Sequence, residues 1–598
     1  MSDKNTTSIP ERLQSLRDVM HQEQLSAWIV PSSDAHSSEY VCDHWQGRRW
    51  VSGFTGSAGT AVILADKAGL WTDGRYFIQA EEELEGSGMK LFKMGTPNAI
   101  SIEDWIYDNV QENSCIGFDG KVVSTAFFEK FNKKFQKKNI EIKTGSDLLT
   151  EVWSDRPNMP NQKIYDYSIE YAGQSREEKL KKVREEMKAH SATHYLITTL
   201  DDIAWLYNYR GDDIPKCPVA LAHTIVTLDE AILFIETSKV PESLKGELKN
   251  AGIEVNHYND IDGALKKLSD GSKMIYDANT ANSHFISLLK PEVEQYELKS
   301  ITGTLKTIKN PVEQEHLKNC HIKDGVAMVK FFVELEQLVP KGGVTEIFAA
   351  DIAEKYRRQI DTFKDLSFTT IPGYGSNGAM MHYSASEDKP FEVGCDNFFL
   401  VDSGGQYLDG TTDITRTHNF GELNDEQKKD YTLVLKGHVN LAKAKFMKGT
   451  RGVQLDMLAR QPLWEHGINY ACGTGHGVGQ FLNVHEGPQN ISVRFLDEEM
   501  LCGMNITNEP GIYRQGKWGI RIENIYFVVP SEKNEFGEFM KFEAVTMCPI
   551  NLKPVLVSML TQSEKDWLNE YHEEVYQKLS PHLNENEQQW LMKNTQPI

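Results

Sequence analysis

Between Cys395 and Val529 the chain sets acidic side chains on or beside short apolar runs, an arrangement few folds can tolerate. Residues 398–401 lead into Asp402, and Asp413 follows eleven positions later (413 − 402). His476 stands among glycines in A-C-G-T-G-H-G-V-G, residues 504–507 lead into Glu509, and Glu523 falls inside residues 520–529. The β-branched and aromatic content of that last run predicts one continuous strand. Buried, uncompensated carboxylates are strongly destabilising, and one or two divalent cations are the simplest remedy. Taken singly, an Asp at a strand end forms a turn and a His among glycines is a loop residue. Taken together, the five read as one site.

Four carboxylates and one imidazole make a hard, oxygen-rich donor set suited to Mn²⁺, Co²⁺ or Zn²⁺. Five ligands exceed the three that a catalytic zinc normally takes from protein. Two ions about 3.5–4 Å apart, sharing carboxylates, fit the inventory better and point to hydrolysis. His382, in M-M-H-Y-S, and His485, in L-N-V-H-E-G-P, flank the acidic stretch. Each alone reads as structural; beside a metal site, both become candidates to polarise a carbonyl or move protons.

At 598 residues the chain exceeds a single core, and length alone suggests about four domains. A formal charge of −22 with no Lys/Arg block argues against a nucleic-acid partner. No apolar run approaches the ~18 residues of a membrane span. The opening M-S-D-K-N-T-T lacks the apolar core of a secretory signal, and the eight cysteines are scattered. Reduced thiols in a cytosol are the expectation.

Leu13, Leu16 and Met20 recur in spacing as Leu180, Val183 and Met187. Each set lies in a charged helical stretch followed by a strand and an acidic turn, at Asp34 and at Asp201. This weak repeat predicts two related α/β domains, residues 1–153 and 154–308. Asp201-Asp202 and Asp212-Asp213 read as solvated turns. Between strands of the first copy lies the glycine-rich turn W-V-S-G-F-T-G-S-A-G-T-A-V-I-L, without the G-K-[ST] of a phosphate loop. Arg75, in L-W-T-D-G-R-Y-F, is by default a surface residue, or else a clamp for a carboxylate or carbonyl. A third domain, 309–598, opens at K-N-P-V-E-Q-E-H with a helix over 322–338 and ends in an amphipathic helix over 564–579, a packing or dimer segment.

The Asp402/Asp413 spacing, His476, N-E-P-G around Glu509 and I-R-I-E around Glu523 resemble the pita-bread metallopeptidases. Within that group the chain is similar to the three-domain cytosolic Xaa-Pro aminopeptidases. The likeness extends to P-S-S-D-A-H and L-W-T-D-G-R-Y-F near the start, and to D-G-T-T-D-I-T-R-T and G-T-G-H-G-V-G near the end. It implies a mixed α/β (α+β) architecture: two related N-terminal α/β domains of creatinase type, then a C-terminal pita-bread catalytic domain. It also implies two Mn²⁺ ions per chain, with Co²⁺ or Zn²⁺ as alternatives. Asp413 and Glu523 would bridge the ions, Asp402 would complete one, and His476 with Glu509 the other. Glu509 would act as general base on a bridging hydroxide. His382 and His485 would hold substrate carbonyls, with His476 beside them, and Arg75 would reach the peptide. Arg521, two residues before Glu523 and so on its face of a strand, would orient ligands. The implied substrates are peptides with proline at position two, and the implied assembly is a homodimer. The rivals are a prolidase, cleaving dipeptides only, and an inactive peptide-binding module, which would have lost ligands; all five are present.

Overall fold

The computed structural model describes residues 7–598. Residues 1–6, most of the segment read above as lacking a secretory core, lie outside it. No helix among the described residues is long and apolar enough to cross a membrane. Two compact units account for the chain: residues 7–167 with 174–303, and residues 168–173 with 304–598.

The first unit holds two six-stranded sheets with one topology. In the first, Lys90–Lys93, Ala68–Thr72, Thr60–Leu64, Ala27–Pro31, Cys115–Gly117 and Glu141–Lys143 lie side by side in that order. The second orders Ile253–Asn256, Ala231–Ile235, Ala222–Thr227, His194–Ile197, Lys273–Tyr276 and Glu294–Glu297 in the same way. In both, the strand that comes first in the chain, Ala27–Pro31 or His194–Ile197, pairs antiparallel with Thr60–Leu64 or Ala222–Thr227 and parallel with Cys115–Gly117 or Lys273–Tyr276. The repeated helices Ile9–Gln22 and Arg176–Ala189 bury the matched residues Leu13, Leu16 and Met20, and Leu180, Val183 and Met187. The weak repeat in sequence is thus a full repeat in structure.

Only one member of each acidic pair of the second copy is solvated as expected: Asp212 is exposed and Asp201 half-buried, while Asp202 and Asp213 are buried. Asp201 and Asp202 open the helix Leu200–Leu206, and Asp202 is buried, accepting from Ser300 Oγ at 2.7 Å and Thr302 Oγ1 at 2.9 Å. Asp213 is buried against Lys239 Nζ at 2.6 Å. Both are paired with donors far away in sequence, which local pattern cannot show.

The second unit contains a 28-residue helix, Pro311–Leu338, longer than the 322–338 expected. Asn310 caps it, Pro311 occupies its first position and Glu313 closes a capping box, a strong start signal. Three strands, Ile371–Tyr374, Phe398–Ser403 and Ile414–Asn419, form one sheet. Four more, Lys445–Met447, Gly537–Ala544, Asn524–Asn534 and Asn505–Asn508, form another. Behind them the helices Asp425–Ala442 and Gln562–Leu579 share a core with Ile520 and Ile522 through Tyr431, Leu435, Leu568 and Tyr571. Fully burying each such apolar side chain contributes about 1.5–3 kcal/mol, which makes this layer a rigid backing for the strands.

Candidate metal centre

The strand Phe398–Ser403 carries Asp402 between two neighbours, opposite Ile371 on one side and Thr415 on the other. A tight excursion through residues 404–413 returns the chain antiparallel, so that Asp413 arrives one residue before the strand Ile414–Asn419. The eleven-residue spacing is the length of this return. Gly404 permits it, because a Cβ there would lie 1.9 Å from Thr412 O.

Glu509 and Glu523 come from a long ribbon with a break in it. Asn508 pairs with Asn524 and Gly511 with Arg521, while Glu509-Pro510 and Ile522-Glu523 interrupt the strands. Glu523 is therefore not inside one strand, as its surroundings suggested. Pro510 has no N–H for the ladder, and both glutamates turn theirs elsewhere: Glu509 N donates to Thr474 O at 2.8 Å and Glu523 N to Thr415 O at 3.1 Å. The break aims both carboxylates to one side.

His476 lies on Gly475–Gly477, packed so closely on the Glu509 strand that a Cβ at Gly475 would meet Thr507 O at 2.0 Å. Its Nδ1 donates to Gly477 O at 2.8 Å, which turns Nε2 toward Asp413 Oδ2 at 3.5 Å and Glu509 Oε1 at 3.6 Å. The His485 ring sits edge-on to it, centroids 4.4 Å apart.

Three overlapping sets of side chains result, each with donor atoms within 4.8 Å of one another: Asp402, Asp413 and Glu523; His476, Glu509 and Glu523; Asp413, His476 and His485. Asp413, Glu523 and His476 each belong to two sets. Burial, then the neighbouring carboxylates, push the Asp413 and Glu523 carboxyls far above their ordinary range. Burial chiefly, with Asp402 adding to it, pushes Glu509 to about 7 against the pull of Arg521. Arg521 is the guanidinium of this cluster. It donates to Asp402 Oδ2 at 2.5 Å, Thr415 Oγ1 at 3.0 Å and Tyr513 Oη at 2.7 Å, and Thr415 in turn donates to Glu523 at 2.7 Å.

Comparison with known proteins agrees with this geometry. Residues 12–152 and 155–313 each match the creatinase/prolidase N-terminal domain, residues 315–530 metallopeptidase family M24, and residues 538–598 the C-terminal region of peptidase M24. A probable Xaa-Pro aminopeptidase P of Coprinopsis cinerea is 40% identical over 618 aligned positions, covering 99% of both chains. The chain belongs to the Xaa-Pro aminopeptidase P family of M24 metallopeptidases. The crystal structure of X-prolyl aminopeptidase from Caenorhabditis elegans, described as a cytosolic enzyme with a di-nuclear active site, superposes with a TM-score of 0.96. It is 34% identical and covers 99% of this chain and 100% of its own. A Xaa-Pro dipeptidase from Bacillus anthracis shares the fold over 63% of this chain, at 24% identity and a TM-score of 0.50.

In this M24 unit the donor set fits divalent cations. It is oxygen-rich, its four carboxylates face a single guanidinium, and Asp402 Oδ1 is buried with no hydrogen-bond partner among the described residues. His382 is outside the three sets. It lies half-buried in the turn after Gly375–Ala379, where the hydroxyl of neighbouring Tyr383 donates to Glu346 at 2.7 Å. Arg75 belongs to the N-terminal unit. There its Nε and Nη2 both donate to the Asp73 carboxylate at 2.8 Å, and it lines a groove of about 620 Å³ with Glu39, Trp71 and Asp73. Sequence reasoning passed over Thr415, Thr507 and Tyr513. Neutral hydroxyls leave no charge pattern, so nothing local singles them out.

Proposed function

We propose that this chain removes the N-terminal residue of peptides whose second residue is proline, with two divalent cations held by Asp402, Asp413, His476, Glu509 and Glu523. The observation that carries the reading is the overlap of three donor sets, in which Asp413 and Glu523 both join Asp402 and each also meets His476. One cation would sit with Asp402 and the other with His476 and Glu509, with Asp413 and Glu523 common to both. Mn²⁺ is the cation proposed; Co²⁺ and Zn²⁺ suit the same donors. When bound, such ions supply Lewis acidity and make water a nucleophile near neutral pH.

The chain's own residues do the rest. Glu509 takes the proton of the attacking water and returns it to the leaving proline nitrogen, which has no N–H of its own and must be protonated to depart. His382 and His485 hold and polarise the substrate carbonyls, and His476 lines the same edge. Arg75 is kept as a substrate-binding residue on family likeness alone. Arg521 orients Asp402 directly and Glu523 through Thr415. The domain boundaries proposed are 1–153, 154–308 and 309–598. A cytosolic location accords with the description of the C. elegans relative and with eight cysteines that form no disulfide among the described residues. A homodimer rests on family likeness alone.

The test is cleavage of Arg-Pro-Pro by protein stripped with EDTA and reloaded with Mn²⁺, with Gly-Pro and Arg-Ala-Ala as controls. Mn²⁺-dependent release of arginine from Arg-Pro-Pro alone is expected. Cleavage confined to Gly-Pro would make the chain a dipeptidase, and no cleavage with two ions bound would make it a binding module.

A further inference from the structure

Behind the break in the glutamate ribbon sits a fully buried histidine that no part of the proposed chemistry uses. His438, on the helix Asp425–Ala442, places Nδ1 3.1 Å from Asn508 O and 3.2 Å from Ile522 O. Those carbonyls belong to the residues immediately before Glu509 and Glu523. On the other side of the ring, Tyr526 Oη lies 2.9 Å from Nε2. Two carbonyls at Nδ1 require a proton there, which leaves Nε2 as acceptor for the Tyr526 hydroxyl and fixes the tautomer. The helix is also tied in return, since Asn508 Nδ2 donates to His438 O at 2.9 Å. One imidazole N–H thus spans both strands at the point where the ladder is interrupted.

We propose that His438 is a positioning residue that sets the separation of Glu509 and Glu523, and through it the geometry of the metal pair. The proposal rests on the metal reading above. The two strands are paired on either side of the break, but within it Pro510 cannot donate and the glutamate N–H groups point away to Thr474 and Thr415. Arg416 holds the far side of the same break, donating to Glu523 O at 2.7 Å and Asn524 Oδ1 at 2.8 Å. Across the break itself Ile522 N donates to Pro510 O at a long 3.5 Å, and His438 adds the second tie, between Asn508 O and Ile522 O. A donor lost here lets the two carboxylates drift apart by an amount too small to unfold the ribbon, yet large for ligands that must share two ions.

The experiment is Co²⁺ titration of the EDTA-stripped full chain, read by calorimetry and by the visible absorption of bound Co²⁺, with circular dichroism to confirm folding. His438→Phe fills the space without a donor. It should lose about 10–100-fold in affinity for at least one ion, the range seen when groups that orient ligands are removed, and its Co²⁺ spectrum should change. His438→Asn, whose amide N–H can occupy the Nδ1 position, should stay within a few-fold of wild type with the wild-type spectrum. If the Phe variant does not fold, His438→Gln takes its place, since its amide reaches the Nε2 position instead, and the same loss is expected. A donorless variant with wild-type affinities and spectrum overturns the proposal. Wild-type protein that takes up no Co²⁺ would instead overturn the metal reading itself.

Discussion

Glu509 and Arg521 show how much one side chain is asked to do. If Glu509 is the general base, Glu509→Ala should lower kcat by about 10²–10⁴-fold, while circular dichroism stays that of the wild type. Arg521 is buried and has no substitute, because its one guanidinium serves Asp402, Thr415 and Tyr513. Arg521→Met should cost roughly 3–5 kcal/mol of stability, typical for a buried ion pair that loses one partner, and added Mn²⁺ should restore part of it. The raised Glu509 carboxyl makes a pH prediction. A group with a folded pKa of about 7, above an unfolded value of 4.5, stabilises the metal-free protein below about pH 4.5, and that contribution fades as pH rises through 7. Bound cations take over the compensating role. The difference in Tm between Mn²⁺-loaded and EDTA-stripped protein should therefore widen from pH 5 to pH 7.5, and a gap that narrows would contradict the electrostatics proposed for the cluster.

At the scale of the element, the site depends on strands approaching closely enough for four carboxylates to converge. Gly475→Ala would put a methyl 2.0 Å from Thr507 O, a backbone atom that cannot swing away. Overpacking of this kind costs about 1–3 kcal/mol, and here it also separates the His476 strand from the Glu509 strand. Thermal melts should show the loss of stability and Co²⁺ titration the weakened site. The backing helices make a second prediction. His438 and His572 are buried and held down to about 3, chiefly by burial, with Arg416 adding to it. Both stay neutral in the folded protein while the unfolded chain protonates near 6.5. Stability should then fall steadily as pH drops below 6.5, by up to about 2.7 kcal/mol per pH unit for two such groups. In Mn²⁺-loaded protein, where the carboxylate cluster does not add stability as pH falls, a flat urea-unfolding midpoint between pH 6 and pH 4.5 would show that they are not held neutral.

At the scale of the molecule, two copies of one α/β fold precede the M24 unit, and matched strand orders reveal the duplication more clearly than the residues do. Between the copies, residues 154–163 run largely exposed and without regular structure, bearing Pro157 and Pro160. Exposed, irregular chain of this sort is the preferred place for nicking. Limited proteolysis should cut there early, as well as in the exposed run 384–392, and mass spectrometry of the first fragments would check it.

What the amino-acid order determined by itself was chemistry and periodicity. Acids against apolar runs marked Asp402, Asp413, Glu509 and Glu523 as one cluster, because burying charge is so unfavourable that it needs a common cause. Helical spacing marked the duplicated domains, and the capping box at Asn310 was readable although its helix was begun too late. Tertiary structure alone decided the rest. Whether Asp202 and Asp213 face water depended on Ser300, Thr302 and Lys239, which local sequence does not bring near. Glu523 lies in a break and not in a strand because Pro510, across the ribbon, has no N–H to offer. His438 gained its place only when a helix was laid behind that break. Side-chain type and spacing act locally and can be read along the chain; hydrogen-bond partners are settled by which distant segments the packed core brings within about 3 Å.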